Sequence, residues 1–192
     1  MPYRRTSFVQ GAYYHVYNRG RNGESIFFEE RNYRFLLRQV KQRVSSMGIT
    51  VIAYCLMPNH YHFLLRQDGE TPISLLMQRT FNSYSKAINV AYHRSGPLFD
   101  GPFKAIPVTG ETYLLHLCRY IHRNPVEAGM VAHPAQWPYS NYLEWVGQRT
   151  GSLIDRALVR AYFPTPESYE TFVLEYVPSR TIDEALRPLT LE

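Results

Sequence analysis

Two histidines one residue apart, His60 and His62, head an apolar run, Met57-Pro58-Asn59-His60-Tyr61-His62-Phe63-Leu64-Leu65, directly after a Pro-Asn turn. In an extended strand successive side chains alternate, so His60, His62 and Leu64 point one way while Tyr61, Phe63 and Leu65 point the other. Two imidazoles on one face make half of a metal site; equally, they can be two satisfied polar residues on an exposed sheet face. Further along, Tyr113, His116, Tyr120 and Asn124 follow one another at helical spacing and share one stripe. On that stripe Tyr120 offers a phenol, and Asn124, one turn on, offers an amide oxygen as a third ligand. Plain alternatives stand beside both. Asn124-Pro125-Val126-Glu127 has the form of an N-cap, a first-position proline and a capping-box glutamate. Tyr120 is one of sixteen tyrosines, most of which pack a ring and keep a polar tip.

The elements that must position these residues follow from pattern. Residues 12–18 read as a first strand rich in β-formers, stopped by the turn cluster Arg19-Gly20-Arg21-Asn22-Gly23. Residues 29–47 read as a helix with Tyr33, Leu36, Leu37, Val40, Val44 and Met47 on one face and Arg31, Arg34, Arg38 and Lys41 on the other. Gly48 ends it. Residues 49–56 form a near-continuously apolar strand, expected to be central, which turns through Pro58-Asn59 into the histidine strand, His60 to Arg66. A long helix starts after Thr71, read as its cap, with Pro72 at the first helical position, and runs to a His93-Arg94-Ser95-Gly96 stop. A Gly- and Pro-rich loop leads to a strand over 103–108 and a helix from about Glu111 to Arg123. The order β, α, β, β, α, β predicts an α+β fold: the ferredoxin-like split βαβ, an antiparallel sheet with helices on one face. Residues 153–162 and 166–176 read as two short amphipathic helices, so 1–150 is expected to be the catalytic domain and 151–192 a helical extension packed on it.

Composition narrows the function classes. The apolar content of 45% suffices for a core at this length of 192 residues. Cys55 and Cys118 form no Cys-x-x-Cys pair, which argues against a zinc ribbon or a disulfide framework. No apolar run is long enough for a membrane span and none follows the first residues as an export signal, so a soluble cytoplasmic protein is expected. The net charge is +5, but residues 151–192 hold four Arg against seven acids, a net of −3, which leaves +8 in residues 1–150. A phosphate-bearing partner would therefore meet the histidine-bearing part.

These residues together resemble the HUH single-tyrosine transposases, and within them the REP-associated tyrosine transposases. The resemblance runs through Tyr14-His15-Val16, Asn18-Arg19-Gly20, the Met57 to Phe63 motif, the Gly96 to Lys104 loop and Arg119-Tyr120-Ile121-His122-Arg123-Asn124-Pro125-Val126-Glu127-Ala128-Gly129, roughly residues 8 to 145. It implies that His60 and His62 bind a divalent metal, Mg or Mn, that Asn124 completes the site, and that Tyr120 is the nucleophile. The implied activity is cutting and rejoining of single-stranded DNA, often beside hairpins, through a 5′-phosphotyrosine link. The implied fold is the same ferredoxin-like plan. Two departures concern DNA contacts: an Arg is common where this chain has Glu127, and a basic residue is common near Pro102. The partner is then single-stranded or hairpin DNA, with the protein a monomer or homodimer. Single strands are held by cations and aromatic faces, for which Arg19, Arg21, Arg94, Lys104, Phe99 and Tyr61 are candidates by their position near the motifs.

Rival readings predict different things. A non-catalytic ferredoxin-like module binding single-stranded nucleic acid would form no covalent adduct and need no metal. A phosphoesterase with two histidine motifs lacks a second His-x-Thr or His-x-Ser, and a two-metal nuclease lacks clustered carboxylates near the motifs.

Overall fold

The computed structural model describes residues 6–175. The expected role of Tyr176, the first five residues and the rest of the extension to 192 lie outside the described residues. Four strands form one antiparallel sheet: β1 (Tyr13–Arg19), β2 (Ile49–Met57), β3 (His60–Gln67) and β4 (Lys104–Val108), in the order β2-β3-β1-β4. With α1 (Glu30–Val44) after β1 and α2 (Ile73–Ala91) after β3, this is the α+β, split βαβ arrangement.

Alternation along the strands divides the core into two layers. Tyr14, Val16, Tyr61, Phe63 and Leu65 face α1 and α2, whereas Tyr17, Cys55, Met57 and Leu64 face the other side. That second face is covered by α3 (Glu111–Glu127) and by three short helices, α4 (Tyr142–Trp145), α5 (Arg156–Tyr162) and α6 (Pro166–Leu174). The histidine face is therefore roofed by α3 rather than open to solvent, and Cys55 of β2 and Cys118 of α3 are both buried in the layer between sheet and helix.

Several local expectations are corrected. β2 is apolar on both faces yet lies at the sheet edge. Its outer edge is sealed by the segment before α4 and by α4 itself: Leu56 N–H donates to Tyr139 O at 2.9 Å, Tyr54 N–H to Asn141 Oδ1 at 2.8 Å, and the Trp145 indole to Ile52 O at 3.1 Å. An edge covered in this way buries a strand as fully as a neighbouring strand does. At the start of α2 the N-cap is Pro72, and Thr71 does not cap it. The Gln67 side chain takes the cap's place, accepting from Ile73 N–H at 3.2 Å. α1 stops at Val44 and finishes in a 3-10 turn before Gly48. Gly48 has φ of 61°, and a Cβ there would sit 2.9 Å from the Gly69 backbone, so a side chain meets both strain and collision.

Candidate active site

β1 and β3 pair with Arg19 opposite His60, Tyr17 opposite His62 and His15 opposite Leu64. Residues of one parity therefore share a face, and His15, Tyr17, His60 and His62 gather beneath α3. The His60 and His62 rings lie 5.1 Å apart and nearly perpendicular, and Tyr120 meets His62 edge-on at 5.5 Å between ring centres.

α3 brings the other half. It runs without a break through Pro125 to Glu127, so Asn124 sits inside the helix and the capping alternative at Asn124-Pro125-Val126-Glu127 is not realised. Pro125 has no N–H to give to the carbonyl four residues back, so the helix forgoes that one bond and still continues to Glu127. Asn124 instead turns to β3, its Oδ1 2.9 Å from His60 Nε2. Tyr120 is half-buried one turn earlier on the same face.

The hydrogen bonding around the histidines fits a cation. His60 faces amide oxygens with both ring nitrogens, Nδ1 at 2.7 Å from Asn59 Oδ1 and Nε2 at 2.9 Å from Asn124 Oδ1. Burial lowers the His60 pKa, an effect the Asn124 contact opposes, which leaves a neutral ring with one N–H to donate. With that proton on Nδ1, the Nε2 lone pair and the Asn124 oxygen converge, and a cation between them would satisfy both. His62 is wholly buried, and its Nε2 has no hydrogen-bond partner. Its Nδ1 lies 2.9 Å from His15 Nε2. Burial, with His15 and His60 as like-charged neighbours, holds His62 well below the ordinary imidazole range, and burial brings His15 down to about 3. Neutral imidazole is the ligating form. Among the described residues no three of His, Cys, Asp and Glu cluster as a metal site.

In the sequence His15 is part of the Tyr14-His15-Val16 motif, which gives it no role in the site. Its signal was parity: it sits on the same strand face as Tyr17, but only the β1–β3 register shows that this is also the face of His62.

The other expected contacts fall in two places. Arg19 pairs with Asp100 at 2.6 Å, and Lys104 lies over the Tyr17 ring at 5.7 Å, so both stand at the histidine end of the sheet. Arg21 is exposed in the turn after β1. Arg94 pairs with Glu24 at 3.2 Å and lies over Phe28, away from Tyr120's helix face. Phe99 is half-buried on the opposite side of the sheet, where Tyr61 is fully buried and unavailable for stacking on a base. Arg119 and Arg123, which flank Tyr120, reach the carbonyls of Phe172 and Val173 at the C-terminal end of α6. Glu127 binds Arg123 at 2.6 Å.

Comparisons with known proteins follow the same lines. Residues 8–124 match the family described as transposase IS200-like. A solved REP-associated tyrosine transposase bound to a REP hairpin overlaps with a TM-score of 0.66 at 18% identity, over 81% of this chain and 94% of that one. A putative transposase from Deinococcus radiodurans gives 0.43 at 16% identity, over 63% and 96% of the two chains. The tRNA(His) guanylyltransferase of Saccharomyces cerevisiae gives 0.44 at 12%, over 96% and 80%. No curated protein matches the chain.

Proposed function

Because the chain belongs to the IS200-like transposase family, we propose that it is a metal-dependent enzyme that nicks and rejoins single-stranded DNA, at hairpin-associated sites, in the cytoplasm. The observation that supports this best is the convergence of a phenol and three candidate metal-ligating side chains from two elements: His60 and His62 on β3, Tyr120 and Asn124 on α3. The REP-hairpin complex of the fold relative supports hairpin DNA as the partner.

In this reading His60, His62 and Asn124 hold Mg or Mn. When bound, the ion supplies Lewis-acid polarisation of a non-bridging phosphate oxygen and a template for in-line attack. The Tyr120 oxygen forms a bond to the scissile phosphorus while the bond from phosphorus to the 3′ oxygen breaks. The phenol proton leaves during attack, and the released 3′ oxygen takes up a proton to become a hydroxyl. The phenol needs this help because its ordinary pKa is about 10. The 5′-phosphotyrosine keeps the bond energy for rejoining when a 3′-hydroxyl attacks in return. α3 holds Tyr120 edge-on to His62 and so fixes the direction of attack. Arg19, Arg21 and Lys104, with Arg94 further off, steady the backbone phosphates, and Phe99 meets a base.

Incubation with single-stranded hairpin DNA and Mn or Mg, followed by a denaturing gel, tests the reading. A protein–DNA band that disappears with chelator is expected. Retained DNA binding with no covalent band under any divalent ion would favour a non-catalytic binding module.

A further inference from the structure

Across the sheet from His60 and His62, at the same end of β1, a cleft of about 550 Å³ opens between α2 and the loop entering β4. Its helical wall is uncharged, with Leu75, Met77 and Phe81 set among polar side chains. Ser74, Gln78 and Asn82 recur every four residues along α2 and make one stripe facing the cleft, whereas the helix's exposed cations Arg79 and Lys86 do not line it. The opposite wall carries Phe99 and Phe103, and Tyr61 of β3 stacks at 4.2 Å on Phe81 of α2 to make the floor. Phe99 stands edge-on to both floor rings, at 6.0 and 5.6 Å.

No Lys, Arg, Asp or Glu lines this cleft among the described residues. It therefore offers no charged side chain to pair with a phosphate. A slot that combines aromatic rings with a stripe of uncharged polar side chains matches a flat, neutral ring system with donors and acceptors on its edge. The unpaired bases of a single strand have that chemistry: faces that stack and Watson–Crick edges that amides can read. The cleft also adjoins the active end of the sheet. Asn18 lines it and donates to Gly101 O at 2.9 Å, while its chain neighbours Tyr17 and Arg19 lie on the histidine side. Asp100 N–H donates to Arg19 O at 3.2 Å, so the loop that forms the aromatic wall is stitched to β1.

We propose that this cleft takes one unpaired nucleobase of the bound DNA strand, stacked on Phe99 and read at its edge by Gln78 and Asn82. The proposal rests on the DNA-cutting reading above and adds the place where base identity is sensed. Phosphate contacts near Lys104 and Arg19 then position the strand, and the cleft supplies sequence preference.

Four randomised single-stranded libraries with a common hairpin, each carrying one photoreactive halogenated base, are irradiated with the protein and Mn, and cross-linked peptides are mapped. At least one library should attach to Phe99 or Phe103. The paired variant Gln78→Ala, Asn82→Ala changes two exposed helix residues and leaves the core untouched. It should lower that cross-link and the strand's affinity about fivefold to tenfold, as loss of one or two net hydrogen bonds implies, while the Tyr120 adduct still forms. Adduct formation with cross-links only outside the cleft, or with affinity for every library unchanged in the paired variant, would overturn the base slot alone. Absence of both adduct and DNA binding in the unaltered protein would overturn the DNA-cutting reading and the slot with it.

Discussion

His62 is ordered by a neighbour that no motif spacing reveals. If its Nδ1–H donates to His15 Nε2, its own Nε2 carries the lone pair, and the remaining proton of His15 is left on Nδ1, buried without a partner. Such an orphan costs about 1–3 kcal/mol, and the fixed tautomer offsets it by presenting a ready ligand. Replacing His15 by Phe should keep the ring volume and lower Mn affinity about 10- to 100-fold, the range seen when the group behind a ligating histidine is lost. Titration of Mn by its free-ion paramagnetic signal measures this without any turnover, and an unaltered affinity would reduce His15 to a packing residue. Tyr120→Phe is the complementary test. It removes one oxygen, keeps the ring against His62, and should leave melting and Mn binding unchanged while eliminating the covalent DNA band. The same change at Tyr113, which shares the helical stripe, or at Tyr84, whose hydroxyl donates to Ile26 O at 2.6 Å, should leave the band in place. A full-yield band from Tyr120→Phe would move the nucleophile elsewhere.

At the scale of elements, α3 serves two neighbours at once. Tyr120 and Asn124 face the sheet, while Arg119, His122 and Arg123 face the short helices that follow. The arginines meet the last carbonyls of α6, where the helix end carries partial negative charge. His122 is wholly buried: Nε2 lies 2.9 Å from Asn141 Oδ1, and Nδ1 lies 2.6 Å from the Tyr169 hydroxyl. Asn141 also donates to Ile52 O and Leu153 O, so one amide joins α3, the β2 edge and the segment before α5. Burial lowers the His122 pKa to about 4, against an opposing contribution from Asn141. The unfolded chain, with its histidine near 6.5, therefore binds a proton before the folded protein does. Stability from this group is complete above about pH 6.5 and is lost as pH falls toward 4, at up to about 1.4 kcal/mol per unit. His15, also depressed by burial, acts in the same direction over the same window and on to about 3. Denaturant midpoints measured at about pH 7 and about pH 5 should fall with acid, and a level profile would show that the buried rings are reached by water.

At the scale of the whole molecule, the charge is divided along the chain: +8 in residues 1–150 and −3 in residues 151–192. The described acidic segment packs on α3, and its Asp155 binds Arg66 at 2.8 Å, at the end of β3 remote from His60. Arg19 and Lys104 stand at the histidine end of the sheet, away from Asp155. Affinity for single-stranded DNA should fall steeply with salt, log affinity declining linearly with log salt concentration. Fluorescence anisotropy across a salt series reads the slope, and Lys104→Ala should make it shallower by somewhat less than one, as one lost phosphate contact requires. A slope that Lys104→Ala leaves unchanged would remove that residue from the phosphate track. No described helix is long and apolar enough to cross a membrane.

The sequence by itself determined the alternating histidine face, the helical stripe of Tyr120 and Asn124, and the strand and helix order, because each is a local periodicity set by backbone geometry. It also carried the family resemblance through motifs each of which is a short run of neighbouring residues. It did not determine which face of the sheet α3 would cover, that β2 would be an edge sealed by Tyr139 and Asn141, or that Asn124 would bond to His60 rather than cap a new turn. His15 behind His62 and the uncharged cleft beside Phe99 were equally hidden. Each of these depends on contacts between segments far apart in sequence, and such contacts are fixed by strand register and by which buried surfaces and polar groups can be satisfied together, quantities that exist only once the chain has packed.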